Sequence, residues 1–542
     1  MKKIKIIVAC LAFLQFTACT KKIDDAYQSP NAPVKVPVET LLPQIISAMA
    51  ANYAGHGSMN DSRYVGAYIQ NWHFYLANSN FDAMGYTNSS ADVAQSTWRM
   101  HYYDIGQNNQ RMMKWAAEEK KWDYVGVGKA IEAWSWMVLT DYYGDVIMEQ
   151  AFNQDLLTFQ YDTQDEVYEK IRNLCFESLD NLSKTGDGVS PANLALGDAY
   201  FYNGDAGKWK KFVYGILARY HNHFSNKPVY KADSAIYYAD RAISTVDEMA
   251  SVKFLATNLS ATNNFFGPRR GNFVGTGVTA PTAIRQGAFI ANLLTGANAA
   301  FTGVTDPRAW YMLRGNGNGT IKGVSPSAGQ AALPAADRPE NFWGVAQATA
   351  SNTAPTSDVN CRFIFTNNAP FPIMTASEMK FIKAEAAYKL GDKAAALQAY
   401  TEGISLHFDM LTTVYSANIP AAKVITPAMK AAFLSNTAVI PASSADITLS
   451  KIMLQKYIAM FGHGVLETWM DLRRYHYTDA DNGSQVYTGF QLPTLFADNQ
   501  NQPVYRYYPR FNSEYVWNIK ELERIGATTN NYHTKKLWIT EP

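Results

Sequence analysis

Apolar residues in this chain recur at steps of three and four over most of its length, a period that commits those stretches to helix. Val127, Ile131, Trp134, Val138 and Tyr142 fall on one helix face, and Gly144 ends the run. Val167, Ile171, Leu174, Cys175 and Leu182 form a second stripe, with Asp165 and Glu166 placed to favour its first turn. Trp209, Phe212, Ile216 and Tyr220 mark a third helix. Ala235, Tyr238, Ala239, Ala242 and Ile243 mark a fourth, whose small residues allow close packing. The period returns after Thr375: Glu378 to Leu390 reads as one helix, Gly391-Asp392 as a turn, and Lys393 to Leu406 as the next helix. The spacing of Ala387, Gly391, Ala396 and Tyr400 is that of a tetratricopeptide helix pair. Leu454, Ile458, Phe461, Val465, Trp469 and Leu472 make a core stripe on one helix expected from Lys451 to Tyr475, with Arg473 and Arg474 in its final turn.

The stretch between these helical parts is different. From Gly271 to Thr356 only 8 of 86 residues are charged, and runs such as Gly315-Asn316-Gly317-Asn318-Gly319 cannot be regular helix. Its Phe, Trp and Tyr content argues for order. The expected fold class is mainly α: a helical body with a tetratricopeptide-like helix pair plus an irregular, loop-rich lobe. The expected division is an N-terminal helical part at 38–254, a loop-rich insert at 255–370 and a C-terminal helical part at 371–542.

Lys2, Lys3 and Lys5 precede an apolar run from Ile6 to Ala18. Thirteen residues are too few for the roughly 20 that cross a bilayer, so 1–18 reads as a signal peptide. Phe16-Thr17-Ala18-Cys19 resembles a bacterial lipobox, with Phe16 where an aliphatic residue is usual. Cys19 is the expected lipidation site, and 19–37 a Pro-rich tether. Net charge is +1, so no single-sign field points to nucleic acid. Cys175 and Cys361 are expected as free, buried thiols.

No HExxH, GxSxG or phosphate-loop motif is present, and no cofactor, metal or catalytic residue is expected. Asp479-Ala480-Asp481-Asn482-Gly483 reads as a surface turn rather than a calcium loop. His221 and His223 lie near a helix end, where capping or exposure is expected. Glu467 and Asp471 with Arg473 and Arg474 read as a structural ion-pair network. Binding a sugar or peptide needs flat aromatic faces with a few directed polar groups. Candidates by composition and placement are Trp72, Tyr75, Phe81 and Tyr86, then Phe265, Phe266, Arg269 and Arg270, then Trp310 and Trp343. Paired carboxylates for glycoside hydrolysis meet only in a fold, so a lipid-anchored glycoside hydrolase stays open as the alternative. A helical-repeat scaffold for other proteins is a third reading.

Several segments together resemble the SusD/RagB family of outer-membrane lipoproteins. They are Ser29-Pro30-Asn31 with Leu41-Leu42-Pro43; Gly128 through Leu139-Thr140-Asp141-Tyr142-Tyr143-Gly144-Asp145-Val146; Asp306-Pro307-Arg308; Glu378 to Tyr388; and Tyr457 through Glu467-Thr468-Trp469-Met470-Asp471-Leu472-Arg473-Arg474. The resemblance implies a mainly α fold with tetratricopeptide-like helix pairs on one side and an irregular, loop-rich, ligand-facing lobe on the other. It implies capture of oligosaccharides or peptides without bond cleavage, at the cell surface. It also implies a TonB-dependent, SusC-like β-barrel partner over which the protein sits as a lid.

Overall fold

The computed structural model of the protein describes residues 35–53, 61–78, 81–85, 95–270, 283–345, 355 and 357–542. The signal peptide, Cys19, nearly all of the tether and Tyr86 lie outside them. Helices α1 (Leu42–Tyr53) and α2 (Asp61–Tyr68) lead into a short strand, β1 (Trp72–Phe74). A continuous helical stretch follows as α3 (Ser96–Arg99), a π-helical segment Met100–Gly106, and α4 (Gln107–Glu118). It runs antiparallel to α5 (Trp122–Tyr143): Asn109 Nδ2 donates to Gly128 O at 2.8 Å, and His101 Nδ1 lies 2.6 Å from Ser135 Oγ further along. A Cβ at Gly128 would stand 2.4 Å from Met113 Cγ, so glycine sets the spacing of this pair.

Next come α6 (Gln164–Asn181), α7 (Pro191–Asp198), α8 (Ala206–His223) and α9 (Ala232–Ala239). A Thr163/Glu166 capping box opens α6 where its sequence signals stand. The stripe Ala235 to Ile243 is buried apart from Tyr238, but the helix stops at Ala239 and the last two positions pack from a turn. Strand β2 (Ala250–Val252) precedes the loop-rich stretch, which contains β3 (Ile284–Gln286), α10 (Ala288–Thr295) and α11 (Ala309–Met312); β4 (Phe371–Met374) follows it. One antiparallel pairing stitches it to the N-terminal part, β1 with β3, Trp72 opposite Gln286; a second, β2 with β4, Val252 opposite Phe371, joins the two helical parts across its base.

The C-terminal part begins with α12 (Ala376–Leu390) and α13 (Lys393–Val414), turning at Gly391 in the left-handed region (φ 87°). They pack closely: Ser377 Oγ donates to Gly403 O at 2.7 Å, and the Phe381 ring lies over Gly403. After α14 (Pro427–Leu434) come α15 (Leu449–Ala459) and α16 (Val465–Arg474). The single helix expected from Lys451 to Tyr475 is thus two. Gly462 (φ 80°) reverses the backbone between them, and Gly462 N donates to Asn71 Oδ1 at 2.9 Å, anchoring the break to the N-terminal part. All six residues of the stripe are buried nonetheless, because the two helices present their apolar faces to the same core.

The Asp479–Gly483 segment is a surface hairpin of β5 (Ala480–Asp481) and β6 (Ser484–Gln485), with Asn482 and Gly483 both at positive φ. Helices α17 (Phe511–Trp517) and α18 (Ile519–Ile525) come near the end. Six tryptophans, at 72, 134, 136, 209, 343 and 469, are buried to within 2% exposure. Each contributes up to roughly 4–6 kcal/mol of apolar transfer to a core that spans all three parts of the chain.

Candidate functional site

The acidic and basic residues of the C-terminal signature form a closed, buried network. Arg474 donates to Glu385 at 2.7 and 3.0 Å and to Asp471 at 2.6 Å. Lys456 pairs with Asp471 at 2.7 Å. Glu467 lies 3.1 Å from His223 Nε2 and 3.7 Å from Arg219, which also donates to Glu378 at 2.9 Å. Every one of these side chains is at most 3% exposed. The Arg474 guanidinium holds Glu385 well below the usual carboxylate range despite burial. These enclosed charges, four carboxylates shared among Arg219, Lys456 and Arg474 with His223 beside them, link α8, α12, α15 and α16. His223 belongs to this network: it is fully buried against Tyr168 and Glu467, not the exposed or capping residue its place near a helix end implies. His221, half-buried, stacks on Tyr238 at 5.1 Å.

The aromatic residues singled out in the sequence divide by burial. Trp72 lies in the core with its Nε1 donating to Arg63 O at 2.8 Å, and Phe81 packs on His73 and Phe74. Phe266 and Trp343 are also buried and joined, Trp343 Nε1 donating to Phe266 O at 2.8 Å. Tyr75, Phe265 and Trp310 are half-buried, each with a cation over its ring: Arg285 at 5.1 Å, Arg270 at 4.3 Å and Lys423 at 4.8 Å. Arg269 is exposed and donates to Thr257 O and Asn258 Oδ1. Within this set the structure joins Phe265 with Arg270 and Phe266 with Trp343, not the whole group.

A cleft of about 660 Å³ opens elsewhere, on segments the sequence did not single out. Trp98, Arg99, Tyr102, Tyr103 and Gln107 form one wall; Ile147 with residues 151–154, Leu156 and Phe159 form the second; Arg510, Ser513 and Glu514 form the third. The first wall is centred on the π-helical stretch, which supplies Tyr102 and Tyr103 and whose wide turns recur at functional sites. Buried Asp61 fixes its start, accepting from Gln95 N at 2.8 Å and Thr97 N at 2.9 Å. Trp98 is the floor, 5.0 Å from Tyr102 and edge-on to Tyr143 at 5.1 Å. Tyr102 Oη donates to Ile147 O at 2.7 Å, tying the first wall to the second. Gly106 lets the walls meet, since a Cβ there would lie 2.4 Å from the Phe152 ring. Tyr103 is 65% exposed at the rim, with Arg99 over its ring at 5.2 Å.

Glu514 is the one carboxylate among the lining residues. It accepts from Tyr161 Oη at 2.9 Å and Asn518 Nδ2 at 3.0 Å; burial nevertheless pushes its carboxyl above the usual range. Among the described residues, the walls of the cleft hold this single carboxyl group. What they do supply is flat aromatic surface with amides and cations at the edge, the composition of a binding site for a partly polar small molecule. A second hollow, about 960 Å³ beside β2, is edged by the Lys208–Asp247 ion pair and has fewer open aromatic faces.

The cleft also has a defined place relative to the N-terminus. Lys35 pairs with Glu118 and Glu119, and Lys121 with Glu39, at the turn between α4 and α5. The cleft lies at the opposite end of that hairpin. The 22 residues of α5 separate the two by about 33 Å.

A family model described as SusD-like_2, "Starch-binding associating with outer membrane", matches residues 30–496. Among solved structures, a SusD/RagB family protein from Bacteroides thetaiotaomicron is similar with a TM-score of 0.70 at 20% identity, covering 93% of this chain and 99% of that one. A chitin-binding protein gives 0.64 at 20% identity, covering 93% and 100%. A chitin-binding SusD homolog from Flavobacterium johnsoniae gives 0.61 at 16% identity, covering 93% and 98%. No curated protein matches the chain. Likeness at these identities fixes the fold.

Proposed function

Since the chain belongs to the SusD-like family of outer-membrane-associated, nutrient- or carbohydrate-binding proteins, we propose that it captures oligosaccharides without cleaving them and passes them to a TonB-dependent β-barrel transporter. The observation that carries this reading is the family match over residues 30–496, joined to the aromatic cleft. Trp98, Tyr102, Tyr103, Phe152 and Phe159 offer apolar faces that suit the C–H faces of pyranose rings. Gln107, Asn153, Gln154 and Arg510 add polar groups to the same lining, of the kind that hydrogen-bond hydroxyls. The names of the chitin-binding relatives favour a saccharide over a peptide.

Cleavage after Ala18 and lipidation at Cys19 would fix the N-terminus to the outer membrane. The hairpin of α4 and α5 would then hold the cleft about 33 Å from the point where the tether joins the body. That geometry suits a protein facing outward from the cell surface. Tyr75, the Phe265–Arg270 pair with Arg269, and Trp310 stay in the proposal as separate candidate contacts for a long ligand or the barrel.

Two experiments test the reading. Affinity purification of the full chain from native membranes in mild detergent should recover a large β-barrel; recovery of the chain alone counts against the partnership. Incubation of the soluble chain, starting at Thr20, with maltohexaose and chitohexaose should leave both intact. Sustained product release at catalytic protein concentrations would favour a lipid-anchored glycoside hydrolase instead.

A further inference from the structure

The aromatic surface continues beyond the cleft. Ser513 and Glu514 of α17 line it, and Trp517 follows at i+4 and i+3, the spacings that place residues on one helix face. Trp517 is 71% exposed, and Leu157, on the loop that forms the second wall, is 89% exposed. Asn518 binds these two segments together. Its amide donates to Phe159 O at 2.8 Å, and its Oδ1 accepts from Phe159 N at 3.3 Å. Trp517 therefore stands on an edge held in place, not on a loose end. Val516 and Ile519 beside it are 58% and 41% exposed, so the apolar surface is a patch rather than one stray side chain.

We propose that Trp517 is an outer saccharide platform that lengthens the cleft by about one sugar ring, so that the protein selects extended oligosaccharides over mono- and disaccharides. This rests on the reading of the cleft as a carbohydrate site. Continuity with the cleft is what identifies the occupant. Four residues of helix advance about 6 Å from Ser513 to Trp517, close to the length of a pyranose ring. A ligand seated against Phe159 and Ser513 reaches the indole only by adding a further unit. An indole face left open to water suits such a unit, covering its C–H face while the hydroxyls stay hydrated. A short ligand would fill the cleft and leave Trp517 untouched.

The test is calorimetry on the soluble chain from Thr20, with malto- and chito-oligosaccharides of two to six units. Wild type, Trp517→Ala and Phe159→Ala are compared, and circular dichroism confirms folding. For the wild type, affinity should rise with chain length. Trp517→Ala should leave the disaccharide unchanged and weaken the longest ligand about five- to tenfold. Phe159→Ala should weaken every length. Trp517→Ala behaving like wild type, or weakening all lengths equally, overturns the platform while the cleft reading stands. Phe159→Ala without effect at any length overturns the cleft reading itself.

Discussion

Replacing Arg474 by Met removes a charge from the centre of the fold while keeping most of the side-chain volume. Arg474 is 0% exposed and donates four hydrogen bonds, two to Glu385, one to Asp471 and one to Ser225 Oγ. Without it, Glu385 keeps the neutral donors Asn222 and Tyr475 and the more distant charges of Lys456 and Lys389, and Asp471 keeps its ion pair with Lys456. Removing one partner of a buried pair leaves the other charge uncompensated, at a cost of about 3–5 kcal/mol. An exposed pair would cost about 0–1 kcal/mol, so the two pictures separate cleanly. Guanidinium chloride unfolding of the soluble chain measures the difference. The double variant Arg474→Met/Glu385→Gln, which neutralises both partners, should recover at least about 1 kcal/mol relative to the sum of the two single variants. A loss below about 1 kcal/mol for Arg474→Met, or strict additivity in the double variant, would refute the claim that this network is a buried structural unit.

Burial of His73, His101 and His463 lowers each imidazole to about 3. Unfolded, they take up protons below about 6.5 while the folded state does not, so stability falls as pH drops below that value. Each contributes roughly 1.4 kcal/mol per pH unit between about 6.5 and 3; unfolding free energies at pH 7, 6 and 5 should decline with a slope that His101→Gln reduces. Cys175 and Cys361 are free and buried, and burial pushes the Cys361 thiol up to about 12. The soluble chain from Thr20 should therefore show no thiol reactive toward Ellman's reagent when folded and two when unfolded. Rapid labelling of the native chain would contradict that burial.

Much of the helical body was legible in the sequence because helices announce themselves locally. Thr163 and Glu166 cap α6 where the acidic pair stands, Gly391 turns α12 into α13, and Asn482-Gly483 closes a hairpin. The break at Gly462 was not legible. The apolar stripe runs through it unchanged, and only the contact with Asn71, nearly 400 residues away, shows why the backbone reverses there. The arginines of α16 occupy the last turn, as their spacing implies, yet they are buried; nothing in that spacing reveals Glu385 of α12, which meets Arg474, or the Asp141 and Tyr505 carbonyls that meet Arg473. The cleft was hidden for the same reason, since its walls come from residues near 100, 150 and 510. A local signal did exist in Trp98-Arg99-Met100-His101-Tyr102-Tyr103, an aromatic and cationic run as dense as the one at Trp72-His73-Phe74-Tyr75. Composition could not tell that the second run would be pulled into a strand and partly buried.

The account stands most directly on whether the cleft binds a saccharide. Titration calorimetry of the soluble chain with maltohexaose and chitohexaose should give saturable heat for at least one of them. The double variant Tyr103→Ala/Phe159→Ala should lose that heat while keeping its fold. No heat from either ligand, or binding that the double variant leaves unchanged, would contradict the account.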